Sequence, residues 1–310
     1  MNFASIYEQI IVLFLIISVG YIMRKKGLID KELNRGLSDI LLDIVLPALI
    51  ISSMTREINS ELINNSITIF LLSIAVYGLV IVFSGFVGDH LDLPFRRRTV
   101  FRFLLIFGNV GYMALPVMDI IYPEYGIYYA VIANATFNFL QWTYGVYLFQ
   151  DSDQDKSGGV NWKGLLNNGI IATIIGFILL VTGLRFPSPL AGAIELVGEM
   201  TFPLSMIVIG SSLAGVKARN VIRDKYLFLL SAFKLVLIPG ILFLVLRQLP
   251  LPVIVANIIV LLIAMPSGAN GVLFAERFDG DQIFAAEGVF LTTLFSLITL
   301  PVFITLVKMF

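Results

Sequence analysis

The chain has 310 residues; 58% are hydrophobic, 14% are charged, and the mean hydropathy is +0.93. That composition excludes an ordinary soluble domain and leaves a polytopic protein surrounded by the lipid bilayer. The formal net charge is zero, which gives no case for nucleic acid, and with no cysteine and one histidine, His90, neither a disulfide nor a Cys- or His-built metal centre is expected.

The chain opens Met1-Asn2-Phe3-Ala4-Ser5, with no basic n-region and no small-residue cleavage site, so the first apolar run is expected to be a retained span. Apolar stretches of about 20 residues, long enough to cross a bilayer, fall at roughly 6–23, 36–54, 65–87, 99–121, 126–149, 168–184, 190–214, 226–246, 253–275 and 284–307. Ten spans are therefore predicted. The second carries Asp39 and Asp43 on one helix face before Pro47, and the seventh repeats that spacing with Glu195 and Glu199. The fifth carries Asn134, Asn138 and Gln141 at helical spacing. Lys234 lies deep in the eighth, and Glu287 lies near the start of the tenth.

Two spans are interrupted. The fourth contains Phe107-Gly108-Asn109-Val110-Gly111-Tyr112-Met113-Ala114-Leu115-Pro116, and the ninth contains Met265-Pro266-Ser267-Gly268-Ala269-Asn270-Gly271. Gly, Asn and Pro do not continue a regular helix comfortably. A break at membrane depth frees backbone groups that hydrocarbon cannot satisfy, so it is tolerated only where it is buried in protein or lines a cavity. Matched interrupted spans in the two halves of a chain point to a transporter's binding site.

Fifteen Lys and Arg fall in the connections after spans 1, 3, 5, 7 and 9 (Arg24, Arg96 to Arg98, Lys156 and Lys217 among them), against four, Arg56, Arg185, Arg247 and Lys308, on the opposite side. The positive-inside rule then places both termini outside a cell membrane and the polar 150–166 linker in the cytoplasm. That linker divides five spans (1–149) from five (167–310). An odd number per half forces opposite orientations, so the fold class expected is an all-α integral membrane protein of ten transmembrane helices in two inverted five-helix repeats. Leu46-Pro47 against Phe202-Pro203, and the fourth span against the ninth, are the echoes of the repeat.

Three patterns, in this order and spacing, carry a resemblance: Leu37-Ser38 through Ile44-Val45-Leu46-Pro47-Ala48-Leu49-Ile50; Asn109-Val110-Gly111-Tyr112 with Leu115-Pro116; and Met265-Pro266-Ser267-Gly268-Ala269-Asn270. Over essentially its whole length the chain resembles the auxin efflux carrier (PIN-like) family, in the short form without the plant members' long central loop. The resemblance implies transport of a small organic carboxylate, auxin-like or malate-like, and a fold similar to the bile acid sodium symporters. Spans 4 and 9 would cross at their breaks. Spans 3–5 and 8–10 would form a moving transport domain of an elevator mechanism, and spans 1, 2, 6 and 7 a scaffold, often a homodimer. The plant carriers' Asn-Pro pair is not kept: Val110 follows Asn109, and Pro266 precedes Asn270 by four positions.

The expected substrate contacts are therefore Asn109, Gly111, Pro116, Pro266, Ser267, Gly268, Asn270, Gly271, Asn138 and Gln141. An amide donates to a carboxylate, and a half-helix start offers N–H groups and a positive dipole end. Equally, the asparagines cap broken helices, the glycines permit close helix packing, the prolines set the breaks, and the span 5 amides join neighbouring helices. Asp43, Glu287 and Lys234 are the coupling or charge-balancing candidates, because intramembrane charges are costly. Lys234 either faces the substrate or pairs with an internal acid. No organic cofactor is expected; protons and sodium are the candidate coupling ions. The alternatives are a sodium-coupled symporter of bile-acid-like or other acids, and a non-transporting membrane sensor or regulatory subunit. No enzyme motif is present: there is no HExxH or phosphate loop, and Asp279-Gly280-Asp281 lies in a polar connection.

Overall fold

The computed structural model describes residues 3–55, 60–149, 168–214, 221 and 224–309. The expected 150–166 linker lies outside the described residues. Among those described, every regular element is helical, and the β-type pairing is an isolated bridge between Gly108 and Ser267. In chain order the helices are α1 (Phe3–Lys25), α2 (Lys31–Met54), α3 (Ser60–His90), α4 (Phe95–Ile106), α5 (Leu115–Ile121), α6 (Gly126–Leu140), α7 (Asn168–Thr182), α8 (Ser188–Glu199), α9 (Thr201–Ala214), α10 (Lys225–Leu246), α11 (Val253–Ile263), α12 (Asn270–Arg277) and α13 (Gln282–Met309). Among the described residues, five stretches are long and apolar enough to cross a membrane: α2, Leu62–His90 of α3, Ser188–Ala214 through α8 and α9, α10 and α13. Ile171–Leu180 and Val253–Ile263 are shorter apolar helices.

These helices form because long apolar runs are punctuated by proline and by capping carboxylates. Pro94, Pro187 and Pro252 stand immediately before α4, α8 and α11 with extended ψ. Asp30 accepts from Leu33 N at the start of α2, and Asp224 from Tyr226 N at the start of α10. Large apolar side chains such as Leu79, Val82 and Ile298 face outward. A core face and a lipid face are both apolar, so such helices show no amphipathic period.

Among the described residues four π-helical turns interrupt the α-helices: Leu41–Val45, Val110–Ala114, Gln141–Gly145 and Phe233–Leu237. Three of them run directly into Leu46-Pro47, Leu115-Pro116 and Ile238-Pro239. Proline has no N–H to donate and its ring crowds the carbonyl four residues back. Inserting one residue into the turn carries the hydrogen-bond ladder past that defect. The seventh expected span, read as continuous over 190–214, is divided at Met200 between α8 and α9.

The chain forms two compact units. The first comprises Met1–Ile67, Gly111–Ala135 and Leu166–Gly215. Within it α1 packs against α9 through a reciprocal contact. Gly20 lies against the Ile207 carbonyl and Gly210 against the Ile17 carbonyl, so closely that a Cβ on either glycine would overlap that oxygen. Both helices present the same Ile-x-x-Gly spacing at the contact. Asn65 Nδ2 donates to the Tyr129 hydroxyl at 3.1 Å, and Ser66 and Tyr128 share a 2.9 Å hydroxyl pair.

The second unit comprises Thr68–Val110, Thr136–Leu165 and Val216–Phe310. At one end it is tied by Arg97, in the first turn of α4. Arg97 pairs with Asp224, which caps α10, and its Nε lies 3.8 Å from Asp281, which caps α13 by accepting from Phe284 N. The Arg97 guanidinium also sits over the Phe284 ring, 4.5 Å from its centroid. Arg96 pairs with Asp279. Basic residues oppose the dipole at a helix start; here carboxylates from two other helix starts offset them.

Candidate functional site

Within the second unit the two interrupted stretches run antiparallel past one another. Asn109 N donates to Pro266 O at 2.7 Å, and Gly268 N donates to Phe107 O at 3.0 Å, flanking the Gly108–Ser267 bridge. Each break thus satisfies backbone groups that the other leaves open, as burial requires. The approach depends on Gly268, where a Cβ would stand 2.8 Å from Gly108 O.

The last carbonyls of α4 have no partner within their own helix. Three remote groups take them. Ser267 Oγ donates to Leu104 O at 2.9 Å, Lys234 Nζ to Ile106 O at 3.3 Å, and Gly268 N to Phe107 O. Ser267 N in turn donates to Thr292 Oγ1 at 3.2 Å. Asn109, Ser267, Thr292 and Lys234 are all buried. On the far side of the second break, the N–H groups of Gly271 and Val272 return to the carbonyls of Gly268 and Ala269. Asn270 Nδ2 reaches Gln141 Oε1 at 3.4 Å, joining α12 to the π-helical turn that follows α6. Phe103, Phe107, Phe137, Phe149 and Phe274 pack edge-on and tilted around the crossing and supply its apolar surround.

The structure therefore brings together Asn109, Pro266, Ser267, Gly268, Asn270, Gly271, Gln141 and Lys234. Asn138 is half-buried in α6 within the same unit, one turn before Gln141. Gly111 and Pro116 belong to the first unit, Gly111 in the π-helical turn Val110–Ala114 and Pro116 buried in α5. Asp43 is also in the first unit, exposed in its own π-helical turn, where Oδ1 accepts from Asn168 Nδ2 at 2.9 Å. Glu287 is buried in α13, one turn beyond Phe284 and within electrostatic reach of Arg97, Asp224 and Asp281. Arg96 and Arg97 form ion pairs at the end of this unit, and Lys234 takes no part in them. Thr292 was not expected at the site. It belongs to a buried hydroxyl stripe, Thr292, Thr293 and Ser296, of which Thr292 and Ser296 bond to their own helix carbonyls and so look inert in sequence.

Comparison with known proteins gives this crossing its context. Residues 5–304 match the family described as membrane transport protein. The chain belongs to this family, the auxin efflux carrier-like group that its motifs resemble. It is similar to the uncharacterized transporter MJ1031 of Methanocaldococcus jannaschii, at 20% identity over 94% of this chain and 96% of the relative. It is similar to the uncharacterized transporter YfdV of Escherichia coli, at 24% identity over 86% of each chain. A shorter likeness, 33% over 28% of this chain, joins it to the uncharacterized transporter YNL095C of Saccharomyces cerevisiae. A membrane transport family and several long apolar helices make this a multi-pass membrane protein.

Proposed function

We propose that this member of the membrane transport protein family is a secondary carrier for a small organic carboxylate, auxin-like or malate-like, with the anion held at the crossing of the two broken spans. The observation that carries the reading is the crossing itself. Buried backbone bonds join the two breaks; Asn109 stands in the first, Asn270 reaches Gln141 just past the second, and the Lys234 ammonium donates to Ile106 O where the first begins. A carboxylate needs donors of this kind in a dry surround.

The full architecture belongs to the same proposal. Ten spans form two inverted five-span repeats, both termini lie outside, and the 150–166 linker is cytoplasmic. Alternating access is of the elevator type: spans 1, 2, 6 and 7 serve as scaffold and homodimer contact, and spans 3–5 and 8–10 carry the substrate. The division of the chain supports the larger part of this: one unit draws on residues 1–67 and 166–215 and the other on most of spans 3, 8, 9 and 10, while residues 111–135 of spans 4 and 5 fall with the first. The turn at Met200 and the π-helical turn Leu41–Val45 occupy corresponding places in the two halves, as a repeat requires.

The test is flux in proteoliposomes across a panel of carboxylates, with and without sodium and pH gradients. Saturable movement of one class of organic acid and none of neutral analogues is the expected result. Sodium-dependent uptake of bile-acid-like molecules would favour the symporter reading. No flux of any acid would favour a sensor.

A further inference from the structure

Lys234 sits in the π-helical turn Phe233–Leu237 of α10 and is 1% exposed. Its ammonium has one hydrogen bond, to Ile106 O at 3.3 Å, and no ion-pair partner among the described residues. A buried charge with one neutral acceptor is costly unless the local field is strongly of opposite sign. Ile106 is the last residue of α4, so its carbonyl lies at the negative end of a half-helix. Lys234 Nζ and Met265 O each lie 3.4 Å from the position a Cβ on Gly108 would occupy, which puts the charge where the two breaks meet.

Freed carbonyls at the C-terminal end of a broken helix are the groups that coordinate a dissociable coupling cation in carriers of this construction. Here that place is filled by an ammonium tethered to a neighbouring helix. We propose that Lys234 is the fixed cation of the crossing, standing where a sodium ion would otherwise bind, so that the site neither binds nor requires sodium. A tethered cation cannot leave with the substrate. The positive charge therefore stays with the second unit through every cycle, and an anion that binds there meets it already in place. This deepens the carboxylate-carrier reading by deciding against its sodium-coupled alternative. Its physical statement concerns the substrate-free protein.

The test is the melting temperature of purified protein in detergent, in sodium, potassium or choline chloride at equal ionic strength. Wild type should melt at one temperature in all three salts. Lys234→Ala should melt several degrees lower in choline and regain stability with sodium or with propylammonium, which replaces the deleted stem and charge. Lys234→Arg should stay near wild type. Selective stabilisation of wild type by sodium would overturn the proposal, and that arm needs no variant. So would a Lys234→Ala protein that melts like wild type, or one that no cation restores. If these results hold while carboxylate flux fails, the fixed cation stands and the carboxylate assignment falls. A sodium-stabilised wild type that still moves carboxylates gives the reverse.

Discussion

The backbone N–H of Asn109 donates to the carbonyl oxygen of Pro266 at 2.7 Å. That bond is made by main chain, and so is its companion from Gly268 to Phe107. The crossing is thereby set by where the chain breaks and not by the side chains that stand there.

Replacing Asn109 or Asn270 with alanine should therefore leave the crossing intact while removing an amide from the anion's surroundings. Each change should weaken binding of the transported carboxylate by about 1–3 kcal/mol, the loss expected for a hydrogen bond to a charged group. Titration calorimetry on the purified variants reads this directly. Wild-type affinity in both would take the amides out of the site.

Gly268→Ala and Gly271→Ala should differ. At Gly268 the new Cβ would stand 2.8 Å from the Gly108 carbonyl, and the bridge itself must open. At Gly271 it would meet the tip of the Leu104 side chain, which can rotate away. We expect Gly268→Ala to cost about 2–4 kcal/mol and Gly271→Ala about 1 kcal/mol. Thermal unfolding that ranks them the other way would contradict the backbone crossing.

In the first unit, Gly20→Ala and Gly210→Ala should each be strongly destabilising, by about 2–4 kcal/mol, because the added methyl meets backbone and not a movable side chain. The double variant should cost much less than the sum, since one substitution already parts the helices. Additive losses would mean that the two glycines do not share a contact.

Arg97 and Asp224 are suited to a double-mutant cycle. Asp224→Asn keeps a good capping side chain at the start of α10 while removing the charge. The coupling with Arg97→Gln should be about 1–3 kcal/mol, larger than an exposed surface pair gives, because the side chains are only 28% and 15% exposed. A coupling near zero would leave Arg97 with only its contacts to Asp281 and Phe284.

Orientation can be tested without disturbing a native thiol, because the chain has no cysteine. Ser157→Cys, in the polar linker, should resist impermeant thiol reagents applied to intact cells and react after lysis. Ready labelling of intact cells would reverse both termini.

The breaks were legible in sequence because Gly, Asn and Pro clustered inside an apolar run end a helix there. Lys234 was legible as the deepest cation in any span. Its partner was not: an internal carboxylate was as good an expectation as a helix end, and only the fold puts Ile106 O beside the ammonium. Ser267 was expected at the site, but no sequence pattern announced that its hydroxyl is donated to Leu104 O. The Arg97 arrangement lay beyond sequence reading, because Asp224 and Asp281 are ordinary caps of distant helices until α4, α10 and α13 start side by side. The π-helical turns were half legible: Pro47, Pro116 and Pro239 announce a disturbed ladder, but a kink and an inserted residue look alike in sequence. The one after α6, with no proline behind it, gave no signal beyond Gln141.

The seating of Gly20 on Ile207 and of Gly210 on Ile17 also has a consequence in time. Helix α1 fits against a helix that is synthesised much later, after the polar linker between the halves. Until then the glycine notch of α1 must wait unfilled. A membrane allows this, because an apolar helix satisfies its own backbone while it waits. A water-soluble chain with the same order of contacts would have to protect that surface throughout translation.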